Sequence, residues 1–375
     1  MTRRFINGGE AVVQGAIAAG CNFFAGYPIT PATPILHSMF RELPRIGGIA
    51  IQGEDEIASI GMCIGAAMAG ARCLTATSGP GMSLYSENIG LAIMGEVPLV
   101  IVDVMRLGPA TGGATTVGQG DIQFARWATA GGYPIIAFCP TNPSECYSLT
   151  VRCFKLARRF RSPVFLLTDR EVVATMNTTE AEEQTGTVSL VDESNEEPEQ
   201  SVPYSVHELG DVPYFSPYGG KNIVRFTGST HDEYGFLTKN PEKVKKLNEH
   251  LNAKIEEHRK EIELVSADMQ NGARTLLVSY GITARSSLEA TRIVREKGDR
   301  LSNLIVHSLW PVPETSIITS LNGVERIVVP ELNLGQFKRE VERVAWLSNN
   351  RIEVIGVNRV DGELISPGQI VEAVI

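Results

Sequence analysis

Unbroken apolar runs alternate with amphipathic stretches through the first half of the chain. Residues 97–104 and 162–168 are apolar at consecutive positions, the pattern of strands buried on both faces of a parallel sheet. Between them, residues 143–160 carry a helical pattern, with Asn142 placed to cap it and Pro143 in its first turn. The alternation continues to residue 176 and predicts an α/β layered domain over residues 1–176. A second series follows, with strands expected at 275–280, 304–309, 326–330 and 352–356. Helices are expected at 283–297, stopped by Gly298, and at 336–347 and 366–374. These define a second α/β domain over residues 271–375.

Residues 177–270 differ in character. No Lys or Arg occurs from Glu171 to Gly220, and residues 180–199 are densely acidic, which predicts a solvated connection. Residues 241–262 read as an exposed helix, with Leu247, Leu251 and Ile255 spaced four apart.

Composition narrows the function. A chain of 375 residues suits two or three domains at about 100–200 residues each. A formal charge of −9 lacks the basic footprint of a nucleic-acid binder. No run approaches the ~20 apolar residues of a membrane helix. The first 21 residues imitate a signal peptide, but Glu10 and Gln14 interrupt the apolar run, so the reading is mature, cytoplasmic protein. The six cysteines, Cys21, Cys63, Cys73, Cys139, Cys146 and Cys153, include no C-x-x-C pair. They suit neither a disulfide scaffold nor a metal or cluster site, and read as ordinary semi-buried thiols.

Four segments carry candidate chemistry. In residues 26–34, G-Y-P-I-T-P-A-T-P, each proline holds its predecessor in extended or turn geometry, so a rigid loop presents the Thr30 hydroxyl. Thr33 is expected to cap a helix starting at Pro34. In residues 53–61, Glu56 is followed by Ile57, Ile60 and Ile64 at helical spacing and faces an apolar neighbourhood, ready to share a proton with a basic partner. Glu54 and Asp55 read as an exposed helix start. The T-A-T-S-G-P-G run at 75–81 makes a glycine turn at a strand end, where backbone approaches a ligand closely. Arg106 lies just past the 97–104 strand, and its guanidinium suits a carboxylate. Arg126 follows in the same region and competes for that role.

In this order, Y-P-I-T-P, E-D-E-I-A-S-I-G with G-A-A-M-A-G-A-R, T-A-T-S-G-P-G and the Arg106 loop resemble the α subunits of 2-oxoacid:ferredoxin oxidoreductases. Residues 331–336, E-L-N-L-G-Q, resemble that family's E-x-N-x-G-Q stretch. The resemblance implies an α/β thiamine pyrimidine-binding domain, a parallel sheet with flanking helices, followed by a transketolase C-terminal-like α/β domain. It implies Glu56 as the catalytic residue that bonds the pyrimidine N1′ of thiamine diphosphate. Thr30 and Arg106 would hold the substrate's carboxylate, and Tyr27, Pro28, Ile29, Ser78, Gly79 and Gly81 would line the cofactor side. The implied reaction is oxidative decarboxylation of 2-oxoglutarate with coenzyme A, giving succinyl-CoA, carbon dioxide and reduced ferredoxin.

The chain carries no G-D-G diphosphate motif and no cluster cysteines. The resemblance therefore places Mg2+ and 4Fe–4S clusters on a separate β subunit that shares the thiamine diphosphate, with further γ and ferredoxin-like δ chains. No metal site is assigned to this chain, and no membrane contact. Residues 228–242 resemble the 2-oxoglutarate branch more than the pyruvate branch, and His231, Asp232 and Glu233 read as an exposed loop. Pyruvate and branched-chain 2-oxoacids stay open as substrates. A transketolase-type carbon–carbon transferase and a non-catalytic interaction subunit stay open as functions.

Overall fold

The structure, a computed structural model, describes residues 2–181, 201–348 and 352–375, so most of the acidic run lies outside the described residues. The first part of the chain contributes β1 (Thr2–Ile6), β2 (Phe23–Gly26), β3 (Ile49–Gln52), β4 (Cys73–Thr77), β5 (Leu99–Met105), β6 (Ile136–Phe138), β7 (Pro163–Asp169) and β8 (Asn177–Ala181). The second part adds β9 (Val265–Asp268), β10 (Thr275–Ser279), β11 (Ser302–Val306), β12 (Ser308–Trp310), β13 (Arg326–Glu331) and β14 (Glu353–Asn358). A seven-stranded sheet has the order β12-β6-β7-β5-β4-β2-β3, and a five-stranded sheet the order β14-β13-β10-β11-β9. Both are parallel apart from one antiparallel edge strand each, β12 and β9.

The apolar runs become the middle of the large sheet. Every residue of β4, β5 and β7 is buried, because helices cover both faces. The helix Pro143–Phe160 forms over the expected span, and the Asn142 side chain accepts from Glu145 N at 3.0 Å. Cys146 and Cys153 lie on its buried side, and all six cysteines are buried free thiols. The signal-like stretch is the packed helix Gly8–Ala18, opened by a capping box between Asn7 and Glu10. Gly15 lets it approach the helix Pro143–Phe160, since a Cβ there would lie 2.5 Å from the Tyr147 carbonyl oxygen.

Several expectations are corrected. The helix after the proline-rich loop is Thr33–Glu42: Ala32 occupies the cap position in helical geometry, and Thr33 makes no cap bond. The 304–309 strand breaks at His307, and β12 leaves the second sheet to pair with β6 of the first. The second sheet already starts at β9, inside the segment expected as connection. His231 is buried rather than exposed, with Nε2 3.2 Å from the Met94 carbonyl oxygen and its ring 4.1 Å from that of Tyr204. Asp232 and Glu233 pair instead with Lys243.

The helix expected to be exposed is Pro241–Glu256, followed by the short helix Arg259–Ile262. Its face bearing Leu247, His250, Leu251, Lys254 and Ile255 is buried. The reason is a charge cluster. Glu96, in left-handed geometry with φ 51°, accepts from Lys254 Nζ at 2.6 Å and lies 3.2 Å from His250 Nε2. The Arg161 guanidinium donates to the carbonyls of Glu96, Pro203 and Tyr214 and so ties in residues 201–214. Burial opposes ionisation of Glu96, but Lys254 and His250 outweigh it and hold its carboxyl well below the usual range.

Lys254→Met should cost about 3–5 kcal/mol of stability by leaving Glu96 buried without its closest cation. Lys245→Met, on the exposed face, should change the chemical denaturation midpoint little. The Glu96 contribution is present above the ordinary carboxylate value of 4.5 and is lost as the pH falls toward the lower folded value. Equal midpoints for the two variants would refute the cluster as the element that holds this helix.

Candidate active site

Strands β5, β4, β2 and β3 lie side by side and parallel, so their carboxyl ends share one edge of the large sheet. Residues 27–31 follow β2, 53–56 follow β3, 78–81 follow β4, and Arg106 follows β5. Four segments spread over 80 residues of sequence therefore meet at one edge, the place where open α/β sheets bind ligands.

Glu56 opens the helix Glu56–Met68, which Asp55 caps by accepting from Ala58 N at 2.7 Å. Asp55 is thus committed to the cap and Glu54 is exposed, whereas Glu56 is only 6% exposed. Among the described residues the Glu56 carboxylate makes no hydrogen bond or salt bridge. It faces Gly81, where a Cβ would lie 2.8 Å from Glu56 Cγ, 3.1 Å from Oε1 and in collision with Thr77 Oγ1. Below, the Tyr85 hydroxyl is 2.7 Å from Thr75 Oγ1, which donates to the Ala25 carbonyl at 2.8 Å. The hydroxyls of Thr77 and Ser78 are buried and have no hydrogen-bond partner among the described residues. A buried carboxylate, two idle hydroxyls and a gap kept open by glycine form a cradle with unfilled bonding capacity. That donor set fits the edge of a nitrogen heterocycle.

Arg106 is buried beside it. Nη1 donates to the Thr30 carbonyl at 2.5 Å and Nη2 to the Ala110 carbonyl at 3.3 Å, while Nε has no partner among the described residues. The structure thus brings Arg106 and Thr30 together, with Thr30 exposed at the mouth. Arg126 is engaged elsewhere. It donates to the carbonyls of Tyr133 and Gly132 and stacks on Trp127, 4.2 Å from the ring centroid. Tyr27 and Pro28 are exposed and Ile29 half-buried, whereas Ser78, Gly79 and Gly81 are buried. A Cβ at Gly79 would lie 3.4 Å from the Ala110 carbonyl oxygen, so one helix turn, Gly79 to Gly81, joins the arginine side to the glutamate side.

Sequence reasoning missed the groups that hold the arginine loop. Gln119 N donates to the Leu332 carbonyl at 2.9 Å, and Leu332 N returns to Gln119 Oε1 at 3.1 Å. Asn333 Nδ2 donates to the Gln119 carbonyl at 2.8 Å, and Gln336 Nε2 to that of Gly120 at 2.7 Å. Glu331 orders the turn by accepting from Tyr280 and from Phe337 N and Lys338 N, each at 2.8 Å. The E-L-N-L-G-Q turn of the second sheet therefore clamps residues 119–123 of the first. Asp103, fully buried, and Asp121, half-buried, lie near Arg106 and were also missed. The available signal for Asp103 was a lone acid inside an otherwise apolar strand.

A glutamate cradle and an arginine gathered at one edge of an open α/β sheet define the class of α/β proteins that bind a ligand at the carboxyl ends of their strands. Residues 14–250 match the family described as pyruvate flavodoxin/ferredoxin oxidoreductase, thiamine diphosphate-binding, and residues 273–370 match pyruvate:ferredoxin oxidoreductase core domain II. The chain belongs to this family of 2-oxoacid:ferredoxin oxidoreductases. It is 40% identical to the 2-oxoglutarate synthase subunit KorA of Methanothermobacter thermautotrophicus, over 99% of this chain and 98% of that one. It is 32% identical to the ketoisovalerate oxidoreductase subunit VorB of the same organism, over 100% and 97%. A solved 2-oxoglutarate:ferredoxin oxidoreductase from Magnetococcus marinus, with 2-oxoglutarate, coenzyme A and succinyl-CoA bound, matches at TM-score 0.89 and 28% identity. That match covers 99% of this chain and 64% of the solved one. A split-gene transketolase, 14% identical with TM-score 0.57, shares the fold.

Gly81→Ala should displace Glu56 or Thr77 and weaken thiamine diphosphate binding by about five- to 150-fold, since overpacking costs about 1–3 kcal/mol. Gly368→Ala, where a Cβ meets no atom closer than 3.8 Å, should leave binding unchanged. Titration of the assembled complex with the cofactor compares the two.

Proposed function

We propose that this chain is the α subunit of a 2-oxoglutarate:ferredoxin oxidoreductase and supplies the pyrimidine side of its thiamine diphosphate site. The reaction converts 2-oxoglutarate, coenzyme A and two oxidised ferredoxins into succinyl-CoA, carbon dioxide, two reduced ferredoxins and a proton. The observation that carries the reading is Glu56, a buried carboxylate with no partner among the described residues, facing a cradle kept open by Gly81. Thiamine diphosphate, when bound, supplies the electron sink for loss of carbon dioxide. Glu56 holds a proton at the pyrimidine N1′, the kind of acid–base work for which a buried, positioned carboxylate suits. Arg106, backed by the Thr30 and Ala110 carbonyls, orients the substrate's carboxylate, with Thr30 at the mouth. Tyr27, Pro28 and Ile29 form the adjoining wall, and Ser78 and Gly79 the floor.

The remaining parts come from partners. Exposed Ile57 and Met62 on the Glu56 helix, with Ile49 and Ile51 on edge strand β3, border the site and suit coverage by another chain. That chain is the β subunit, carrying the diphosphate–Mg2+ site and 4Fe–4S clusters, alongside γ and δ chains. 2-Oxoglutarate is favoured over a branched-chain 2-oxoacid because relatives named for it are 40% identical, against 32% for ketoisovalerate enzymes.

In the complex assembled with its partner chains, Glu56→Gln should lower kcat by about 10²–10⁴-fold without loss of subunits. Turnover within a few-fold of wild type would refute the role of Glu56. Arg106→Lys should raise KM for 2-oxoglutarate, because lysine keeps the charge but loses the fork. A flat response there, with a large one at Arg126→Lys, would transfer the role to Arg126.

A further inference from the structure

Two carboxyl groups, Asp103 fully buried and Asp121 half-buried with its Oδ2 enclosed, stand behind Arg106 without a role in the reading above. Asp103 lies in β5, fully buried, in register with Thr77 of β4 and Leu167 of β7. Asp121 ends the arginine loop, delivered there by the bonds of Gln119 and Gly120 to the second-sheet turn. Its carboxylate oxygens flank Gly79, 3.7 and 3.8 Å from where a Cβ would stand. The two carboxyls face each other within hydrogen-bonding reach. Neither oxygen of Asp103, nor Oδ2 of Asp121, finds a donor among the described residues. Two carboxylates buried this close cannot both ionise without severe repulsion, so a proton between them is the resolution.

Arg106 supplies the other half of the argument. It makes no salt bridge among the described residues and rests on two carbonyls. Of the charged side chains around the pair, Arg106 is the one that acts on both acids. Asp169, at the end of β7, is turned to Ile282 N at 2.7 Å, and Glu56 lies across the glycine turn. With one shared proton the pair carries a single negative charge, which balances the buried guanidinium. Without it, a second negative charge would meet the incoming carboxylate.

We propose that Asp103 and Asp121 form a single-proton carboxyl pair that positions Arg106 electrically and so controls the affinity of the site for the carboxylate of its 2-oxoacid. Both act through Arg106 and are positioning residues. Burial, and then the neighbouring acid, raises Asp103 well above the ordinary carboxylate range, and burial raises Asp121 to about 6 against the pull of Arg106. Both shifts favour retention of a proton by the pair, and a rise in pH removes it.

The inference rests on the proposed function, and steady-state kinetics of the assembled complex from neutral to alkaline pH test it. In the wild type, KM for 2-oxoglutarate should rise by up to about tenfold per pH unit once the last proton leaves, with kcat far less affected. Asp103→Asn and Asp121→Asn each keep one carboxylate that can gain no second charge, so the alkaline rise should disappear in both. A wild-type KM that stays flat, or an equal rise in both variants, would overturn the proposal. If a variant does not assemble, the infrared carbonyl band of a protonated carboxyl in the wild-type complex replaces it. Loss of that band in step with the rise in KM supports the pair, and its absence at neutral pH overturns it. A complex that oxidises no 2-oxoacid removes the functional reading and this one together, whereas an active complex with a flat KM removes this one alone.

Discussion

The joint between Gln119 and the Leu332–Asn333 backbone is the constraint on which the site depends. Residues 107–121 leave the carboxyl end of β5 and would otherwise be a glycine-rich loop with one fixed end. Gln119 exchanges bonds with Leu332 through both backbone and side chain, and Asn333 adds a third. With both ends held, the loop places Arg106 against Thr30 and Asp121 against Gly79. β12 strengthens the same joint by crossing from the second sheet to extend the first. Neither α/β unit is complete without the other, because the second supplies both a sheet edge and a clamp.

Buried carboxyl groups are met in four different ways. Glu96 is ionised against Lys254 and His250. Glu331 is fully occupied by two backbone N–H groups and the Tyr280 hydroxyl. Asp103 and Asp121 meet each other. The Glu56 carboxylate has no hydrogen bond or salt bridge among the described residues, although desolvating a carboxylate without a partner is costly. The unmet cost points outward, to a ligand.

Much of this was legible in the sequence. The apolar runs at 97–104 and 162–168 became β5 and β7, and Asn142 caps the helix assigned to it. Glu56 was separable from Glu54 and Asp55 by its helical spacing to Ile60 and Ile64 together with the family resemblance. The exposed reading of the 241–262 helix failed because Lys254 and His250 look solvent-facing in a sequence whose partner acid lies 158 and 154 residues away. The choice between Arg106 and Arg126 stayed open for a similar reason. Both follow the same strand region, and only the fold shows that Arg126 is bound to Gly132 and Tyr133.

The sequence by itself determined the elements and the chemistry placed at their ends, because hydrophobic period, proline, glycine and caps act over a few residues. Strand, turn and helix are local choices, and the motifs sit where those choices change. Tertiary structure alone decided which groups meet: Asn333 with Gln119 across 214 residues, Lys254 with Glu96, and Asp121 with Asp103. Burial and charge pairing depend on what surrounds a side chain in space, and no local pattern along the chain encodes that surrounding.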